Sequence, residues 1–352
     1  MGKQESHHKI LEENPIHQGS LVRRFLIVFL VLALLALALG TRELILPAGP
    51  SAETFVEVVP GMGSRAIGAL LEGHGIIRSR YAFDLWHVLR GGTLKAGEYR
   101  FEQPTTLGVV YNRLVRGDVY TQSVTIPEGF NLFDIAQAVQ DAQLGSKESF
   151  LAAANQDVTL ITDLDPGAKN LEGYLFPDTY RFQRHQPPSQ LLAAMVRRFR
   201  QSSASIGLGG DYHRIVTLAS LVEKETPVPG DRPLVASVLT NRLAQDMPLM
   251  TDPTVIYAAL LEKQYRGAIY QSDLKRDSAY NTYRHSGLPP GPICSPGIAS
   301  LQAAMHPADS KFLYFVADAG ASGHSRFAAT LEEHERNVNA YRRGLKDAQG
   351  TH

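Results

Sequence analysis

The spacing of apolar and polar positions changes character three times along the 352-residue chain. Residues 25–40, FLIVFLVLALLALALG, carry no charge and leave no polar face. With Leu21 and Val22 the run approaches the ~20 residues that a bilayer-crossing helix needs. From residue 54 the period shortens. TFVEVV (54–59) alternates like a strand and meets Pro60-Gly61, a turn signal. RAIGALLEGHG then sets Ile67, Leu70 and Leu71 on one helical face, with Ser64 as the expected cap and Gly73 and Gly75 as the stop. The pattern continues with a helix over 81–89, a returning strand over 95–101, a helix over 106–116 and a strand over 121–126. A helix over 131–139 follows, capped by Asn131. Beyond Gly145 longer helical runs alternate with stretches rich in Tyr, Pro and Asp.

Composition narrows what these elements serve. The length allows two domains with cores of their own. Lys plus Arg is 35 and Asp plus Glu is 35, so the formal charge is +0. No basic stripe suggests nucleic acid, and none is expected as a partner. The only cysteine is Cys294, which rules out an internal disulfide and a multi-cysteine metal knuckle. His285, His306, His324 and His334 fall in no close metal spacing, so neither metal nor cofactor is expected. Ser272 and Lys275 spell S-x-x-K without the S-D-N or K-T-G companions of penicillin-recognising enzymes, which leaves a chance match. Arg23 and Arg24 precede the apolar run, with Lys3 and Lys9 farther upstream. The positive-inside rule then places residues 1–23 in the cytoplasm, a span at 24–44, and the rest outside. A cleaved signal peptide is the rival reading, with Ala36 and Ala38 as small residues near a cleavage site. The run exceeds the ~7–15 residues of a signal core, which favours an anchor.

Four stretches carry the candidate chemistry: LEGYLFPDTYRF (171–182), LASLVEKET (218–226), MTDPTVIY (250–257) and AYNTYRHSGLPPGPICSPG (279–297). Tyrosine offers a flat apolar face with a hydroxyl, and Asp, Asn and Thr supply directional hydrogen bonds, the groups that recognise sugars. Each stretch also has a plain structural reading. Pro177 to Thr179 is ordinary turn chemistry, and GLPPGPICSPG reads as a rigid surface loop. In the helix that ends at Pro227, Glu225 lies three residues from Val222, four from Leu221 and seven from Leu218, so it turns inward with them. Glu223 is rotated ~160° away toward the Val216 and Ala219 edge, where a salt bridge or solvation is its default. Burial against leucines raises a carboxyl pKa, and the helix C-terminus pushes the same way. A proton donor near neutral pH needs that shift.

LEGYLFPDTYRF, LASLVEKET, TDPTVIYA, AYNTYRHSGLPPGPICSPG, LQAAMHPA and FLYFVAD, in this order behind one apolar N-terminal run, resemble the MltG-type (YceG-like) endolytic murein transglycosylases. The resemblance implies an α+β protein: a transmembrane helix, a linker over 45–53, a small LysM-like α+β subdomain over 54–120 and a larger mixed α/β catalytic domain over 121–345. The strand, helix, helix, strand order over 54–101 also resembles a LysM module, a type associated with glycan recognition. The family cuts peptidoglycan strands internally between N-acetylmuramic acid and N-acetylglucosamine, leaves 1,6-anhydro ends, and would thereby end nascent strand growth at the bacterial inner membrane. Its catalytic acid is the second of the E-K-E-T motif, carried here onto Glu225. Tyr174, Asp178, Asp252, Tyr280 and Asn281 are the expected substrate-binding residues, with Glu172 and Glu223 as helper acids or salt-bridge partners. Penicillin-binding proteins of the synthesis machinery are the partners the family implies. A membrane-anchored glycan-binding scaffold without turnover is the alternative, and an acid in an apolar setting is what it would not need.

Overall fold

The computed structural model describes residues 16–320 and 323–349, so residues 1–15 of the expected cytoplasmic tail lie outside the described residues. The chain divides into two compact units, with the boundary between Tyr120 and Thr121.

The first unit begins with α1 (Ile16–Ile45). Its segment Val22–Arg42 is long and apolar enough to cross a membrane. After α1 come β1 (Thr54–Val58), α2 (Ser64–Gly73), α3 (Arg80–Arg90), β2 (Gly97–Phe101) and α4 (Leu107–Arg116). β1 and β2 pair antiparallel, Thr54 opposite Phe101 and Val58 opposite Gly97. Alternation turns Val56 and Val58 inward, where they meet Ile67 and Leu71 of α2, Phe83 of α3, Tyr99 and Phe101 of β2, and Val110 and Leu114 of α4. Ser64 does not cap α2 as expected. Extended Gly63 takes that position and Ser64 is the first helical residue. Ser79 caps α3, accepting the Ala82 N–H.

The second unit consists of helices with two separate antiparallel ribbons. In chain order it holds β3 (Gln122–Ile126), α5 (Leu132–Asp141), α6 (Lys147–Gln156), a single 3-10 turn, β4 (Asp178–Phe182), α7 (Pro188–Ser205), α8 (Tyr212–Glu225), α9 (Arg232–Ala244), α10 (Asp252–Leu261), the short α11 (Gln271–Leu274), α12 (Ile298–Met305), β5 (Tyr314–Ala317), β6 (Ser325–Ala328) and α13 (Leu331–Gln349). β3 pairs with β4 and β5 with β6. Asn131 caps α5 within a full capping box, its side chain accepting from Phe133 and Asp134 while Asp134 accepts from the Asn131 N–H. Pro177 to Thr179 do not form the expected turn, because Asp178 already starts β4 opposite Ile126.

α8 organises this unit. It packs against α9, α10 and α12, and all seven residues from Val216 to Val222 are buried. This stretch is buried on every side, so Glu223 at its end is not solvated and takes the ion pair that was the other half of its expected default, with Arg232. The proline-rich stretch after Gly287 is likewise no surface loop. Residues 291–297 are buried on α8, where Ile293 N–H donates to Ser220 Oγ at 3.1 Å and the Cys294 thiol lies 3.4 Å from the Ser220 carbonyl. Gly173 permits this approach. Its φ is +84°, and a Cβ there would stand 2.5 Å from Pro292.

Candidate active site

Glu225 is the last residue of α8, and Thr226 beyond it has extended backbone. Pro227 cannot continue the helix. The E-K-E triplet divides its three side chains among different tasks. Glu223 Oε1 accepts from Arg232 Nη2 at 2.9 Å and Oε2 from the Gly297 N–H at 2.9 Å, so this carboxylate closes the N-terminus of α12 and ties it to α9. Only 5% of the Glu223 side chain is exposed, and 7% of Arg232. Lys224 Nζ donates to the Gly129 carbonyl at 3.3 Å. The described residues give the Glu225 carboxyl no hydrogen-bond or ion-pair partner.

That free carboxyl opens into a cleft of about 420 Å³. Its lining includes Thr251 and Asp252 at the start of α10, Tyr283, Arg242 of α9, Tyr314 of β5 and His334 of α13. Burial pushes the Glu225 pKa up to about 7, the nearby Asp252 charge adds to the rise, and Arg242 opposes it. Asp252 accepts from the Tyr283 hydroxyl at 2.6 Å. Arg242 is held by backbone: its Nε donates to Leu313 O at 2.7 Å and Nη1 to Leu249 O at 2.8 Å, while its guanidinium lies 5.3 Å from the Tyr314 ring centroid. His334 stacks on the same Tyr314 ring, with the centroids 5.2 Å apart. Its Nδ1 is buried without a partner.

A threonine cluster fixes the α10 wall. Thr282 Oγ1 meets the Thr251 N–H at 3.0 Å and Thr254 Oγ1 at 2.9 Å, and Met250 N–H donates to the Thr282 carbonyl at 3.2 Å. Met250 adopts φ +52°, a left-handed conformation that costs a non-glycine residue about 1 kcal/mol or more. It sits on the rim of the cleft.

Of the residues expected beside Glu225, only Asp252 lines this cleft. Tyr174 is fully buried in the core, its hydroxyl on Asp165 at 2.7 Å and its ring edge-on to Phe199. Asp178 pairs with Arg198 at 2.6 Å on the surface of the β3–β4 ribbon. Asn281 is buried and spends its amide on the Leu274 and Arg276 carbonyls at 3.1 and 2.7 Å. Its Oδ1 accepts the Tyr283 N–H at 3.0 Å, so it shapes the turn that presents Tyr283. Tyr280 packs on Tyr257 at 5.0 Å, beside a separate cavity of about 240 Å³. Glu172 lines that same cavity and is 2% exposed. Its Oε2 accepts from the Leu132 N–H at 3.0 Å and the Tyr257 hydroxyl at 2.9 Å, and burial raises its pKa to about 7 against those two donors. Glu172 thus closes the N-terminus of α5 as Glu223 closes that of α12.

Arg242, Tyr283, Tyr314 and His334 were not singled out from sequence. Tyr283 stands inside AYNTYRHSGLPPGPICSPG and Tyr314 inside FLYFVAD, so the motifs did reach both. Arg242 sits in a helix of ordinary polarity and gave no signal, and His334 stood out only as a histidine in no metal spacing. Among the described residues no group of three His, Cys, Asp or Glu is placed to hold a metal ion.

The profile of the YceG-like family matches residues 56–340. An endolytic murein transglycosylase of Bacillus subtilis is 33% identical over 332 residues, 85% of this chain and 88% of that protein. A protein of the same name from Streptococcus pneumoniae is 32% identical over 365 residues, covering 90% of this chain and 65% of the longer relative. A crystal structure of a yceG-like protein from Listeria monocytogenes superposes with a TM-score of 0.53 at 31% identity, over 82% of this chain and 99% of that one. With the family profile covering most of its length and relatives above 30% identity, the chain belongs to the YceG-like family.

Proposed function

We propose that the chain is an endolytic murein transglycosylase, a lyase that cuts the β-1,4 bond between N-acetylmuramic acid and N-acetylglucosamine inside peptidoglycan strands. The observation that carries this reading is the Glu225 carboxyl, unpartnered, desolvated and raised to about 7 in an open cleft. Glu225 in its neutral form protonates the glycosidic oxygen as the bond to the muramoyl C1 breaks. The resulting carboxylate takes the proton from the same sugar's C6 hydroxyl as that oxygen closes on C1. One carboxyl serves both steps because the sugar supplies its own nucleophile, whereas glycoside hydrolases need a second carboxyl for nucleophile or base. Asp252, held by Tyr283, lies where it can stabilise the oxocarbenium-like transition state, and its charge adds to the rise that burial gives the Glu225 pKa. Arg242 and the Tyr314 and His334 rings form the wall against which a sugar packs.

The apolar α1 supports a single membrane span with residues 1–23 cytoplasmic and both units on the periplasmic side. The β1, α2, α3, β2 order with an antiparallel pair supports a LysM-like glycan-recognising role for the first unit. Peptidoglycan is then the partner of both units, and penicillin-binding proteins that extend the strands are the protein partners. The cut would end strand growth. Digestion of purified sacculi by the full-length protein tests the activity. Anhydromuramoyl ends from wild type and none from Glu225→Gln are the expected result. Reducing ends would mean a hydrolase, and no new ends a glycan-binding scaffold.

A further inference from the structure

α3 presents its apolar residues on the wrong side for a helix buried by its own unit. Phe83 is its fully buried side chain, while Tyr81, Leu85, Val88 and Leu89 are 72, 60, 79 and 71% exposed. At 100° per residue these four fall within an arc of roughly 100°, on the side opposite Phe83. Single exposed apolar residues are ordinary; a continuous stripe marks a contact surface.

The position of this stripe indicates what covers it. Arg78 directly precedes the α3 cap and donates from Nη1 to the Leu46 carbonyl at 3.0 Å and from Nη2 to that of Pro47 at 2.5 Å. Those carbonyls follow Ile45, the last residue of α1. Ala48 and Thr105 exchange backbone hydrogen bonds of 2.8 and 2.7 Å, and α1 contacts both α3 and α4. The beginning of α3 is therefore fastened to the end of the apolar helix. Around the stripe stand aromatic rings capped by arginines, with Arg80 5.2 Å from the Tyr81 ring and Arg90 4.9 Å from that of Trp86. A groove between α2 and α3 adds Arg65 and Arg80 next to Leu85 and Val88, with Asp84 on the same lining and Glu72 3.5 Å from Arg80, so the basic side chains outnumber the acidic ones only on the Arg65 side. Leucine and valine on one face with tyrosine, tryptophan and arginine at its border is the makeup of a helix lying in a membrane interface.

We infer that α3 lies in the headgroup region of the leaflet from which α1 emerges, with Tyr81, Leu85, Val88 and Leu89 in lipid and Arg65 and Arg80 on lipid phosphates. This rests on reading α1 as a membrane span. It holds the first unit against the bilayer at α3 as well as at the end of α1.

Trp86 is the only tryptophan of the chain and sits on α3, so all tryptophan fluorescence comes from this helix, and quenching by lipid reads its approach to the bilayer while the unit stays folded. The full-length protein is reconstituted in phosphatidylethanolamine and phosphatidylglycerol vesicles, with insertion of α1 scored separately by resistance to alkaline extraction. Lipids brominated near the headgroup should quench Trp86 by about two-fold, and Leu85→Glu with Val88→Glu should abolish the quenching while α1 stays inserted. Both positions are exposed, so the core is left intact, and unchanged circular dichroism checks that. Unquenched Trp86 in vesicles that hold α1, or equal quenching in the double variant, would overturn the inference and point to a glycan or protein on the stripe. Extraction of wild type by alkali would instead remove the anchor reading, and this inference with it.

Discussion

At the scale of single residues, the two glutamates of E-K-E-T show how one turn of helix separates a fully partnered acid from one left without a partner among the described residues. Glu223 has two strong donors, and Glu225 has none among the described residues. Replacing Glu225 by Gln keeps the shape and removes the proton. We expect release of anhydromuramoyl ends to drop by about 10²–10⁴-fold, measured by chromatography of digested sacculi. The pKa of about 7 also fixes the sign of two pH effects. Activity that needs the neutral acid should fall as pH rises through about 7, a limb that a pH–rate profile would reveal. Stability moves the same way: between the ordinary glutamate pKa and about 7 the folded state binds the extra proton, so stability declines as pH rises across that window and then levels off. Glu225→Gln should therefore melt higher than wild type at pH 8, by an amount on the order of 1–2 kcal/mol after allowance for solvent in the cleft, with the gap closing toward pH 5. Thermal melts of both proteins at the two pH values check this, and a constant gap would contradict the assigned pKa.

At the scale of elements, the site depends on how α8, α9, α10 and α12 meet. Arg232 and Glu223 form a nearly buried pair at the α8, α9 and α12 junction. Arg232→Met would leave the Glu223 charge buried with only the Gly297 N–H, and we expect a loss of about 3 kcal/mol by denaturant titration. Glu223→Gln added to Arg232→Met should recover much of it. Asn281→Ala should act on the cleft from a distance. It frees the Leu274 and Arg276 carbonyls and loosens the turn under Tyr283, so we expect a loss of about 1–3 kcal/mol together with a lower kcat. Much of this level was legible in the chain. The alternation over 54–59 and the capping residue Asn131 follow from local chemistry and gave strand and helix within a residue or two. Ser64 was misjudged because two neighbouring residues suit an N-cap and only the backbone decides between them. The burial of 291–297 was not legible, since Gly and Pro favour turns whether or not another helix covers them.

At the scale of the whole molecule, the described residues form two hydrophobic cores, one built on β1, β2 and the helices around Phe83, the other on α8. Trp86 packs on the first of these. Its emission should follow unfolding of the first core, while far-ultraviolet circular dichroism is dominated by the helices of the second unit. Phe83→Ala, which opens a cavity beside Trp86 at a cost of about 3–5 kcal/mol, should shift the tryptophan transition to lower denaturant and leave the main dichroism transition in place. A single shifted transition by both probes would mean that the cores unfold together.

Sequence alone determined the apolar span, the order of elements as far as α5 and the family, and it singled out Glu225 as the candidate acid, because hydrophobic period, capping chemistry and long ordered motifs are local properties of the chain. Tertiary structure decided the company Glu225 keeps. Asp252, Tyr283, Arg242, Tyr314 and His334 come from α10, a turn, α9, β5 and α13, more than a hundred residues of chain gathered around one carboxyl. It also moved Tyr174, Asp178, Tyr280, Asn281 and Glu172 out of that cleft and into ion pairs, helix ends and the core. A sugar-binding residue and a core-building one carry the same hydroxyls, amides and rings. Which task such a group performs depends on whether its polar atoms already have partners, and those partners are set only when the chain has folded.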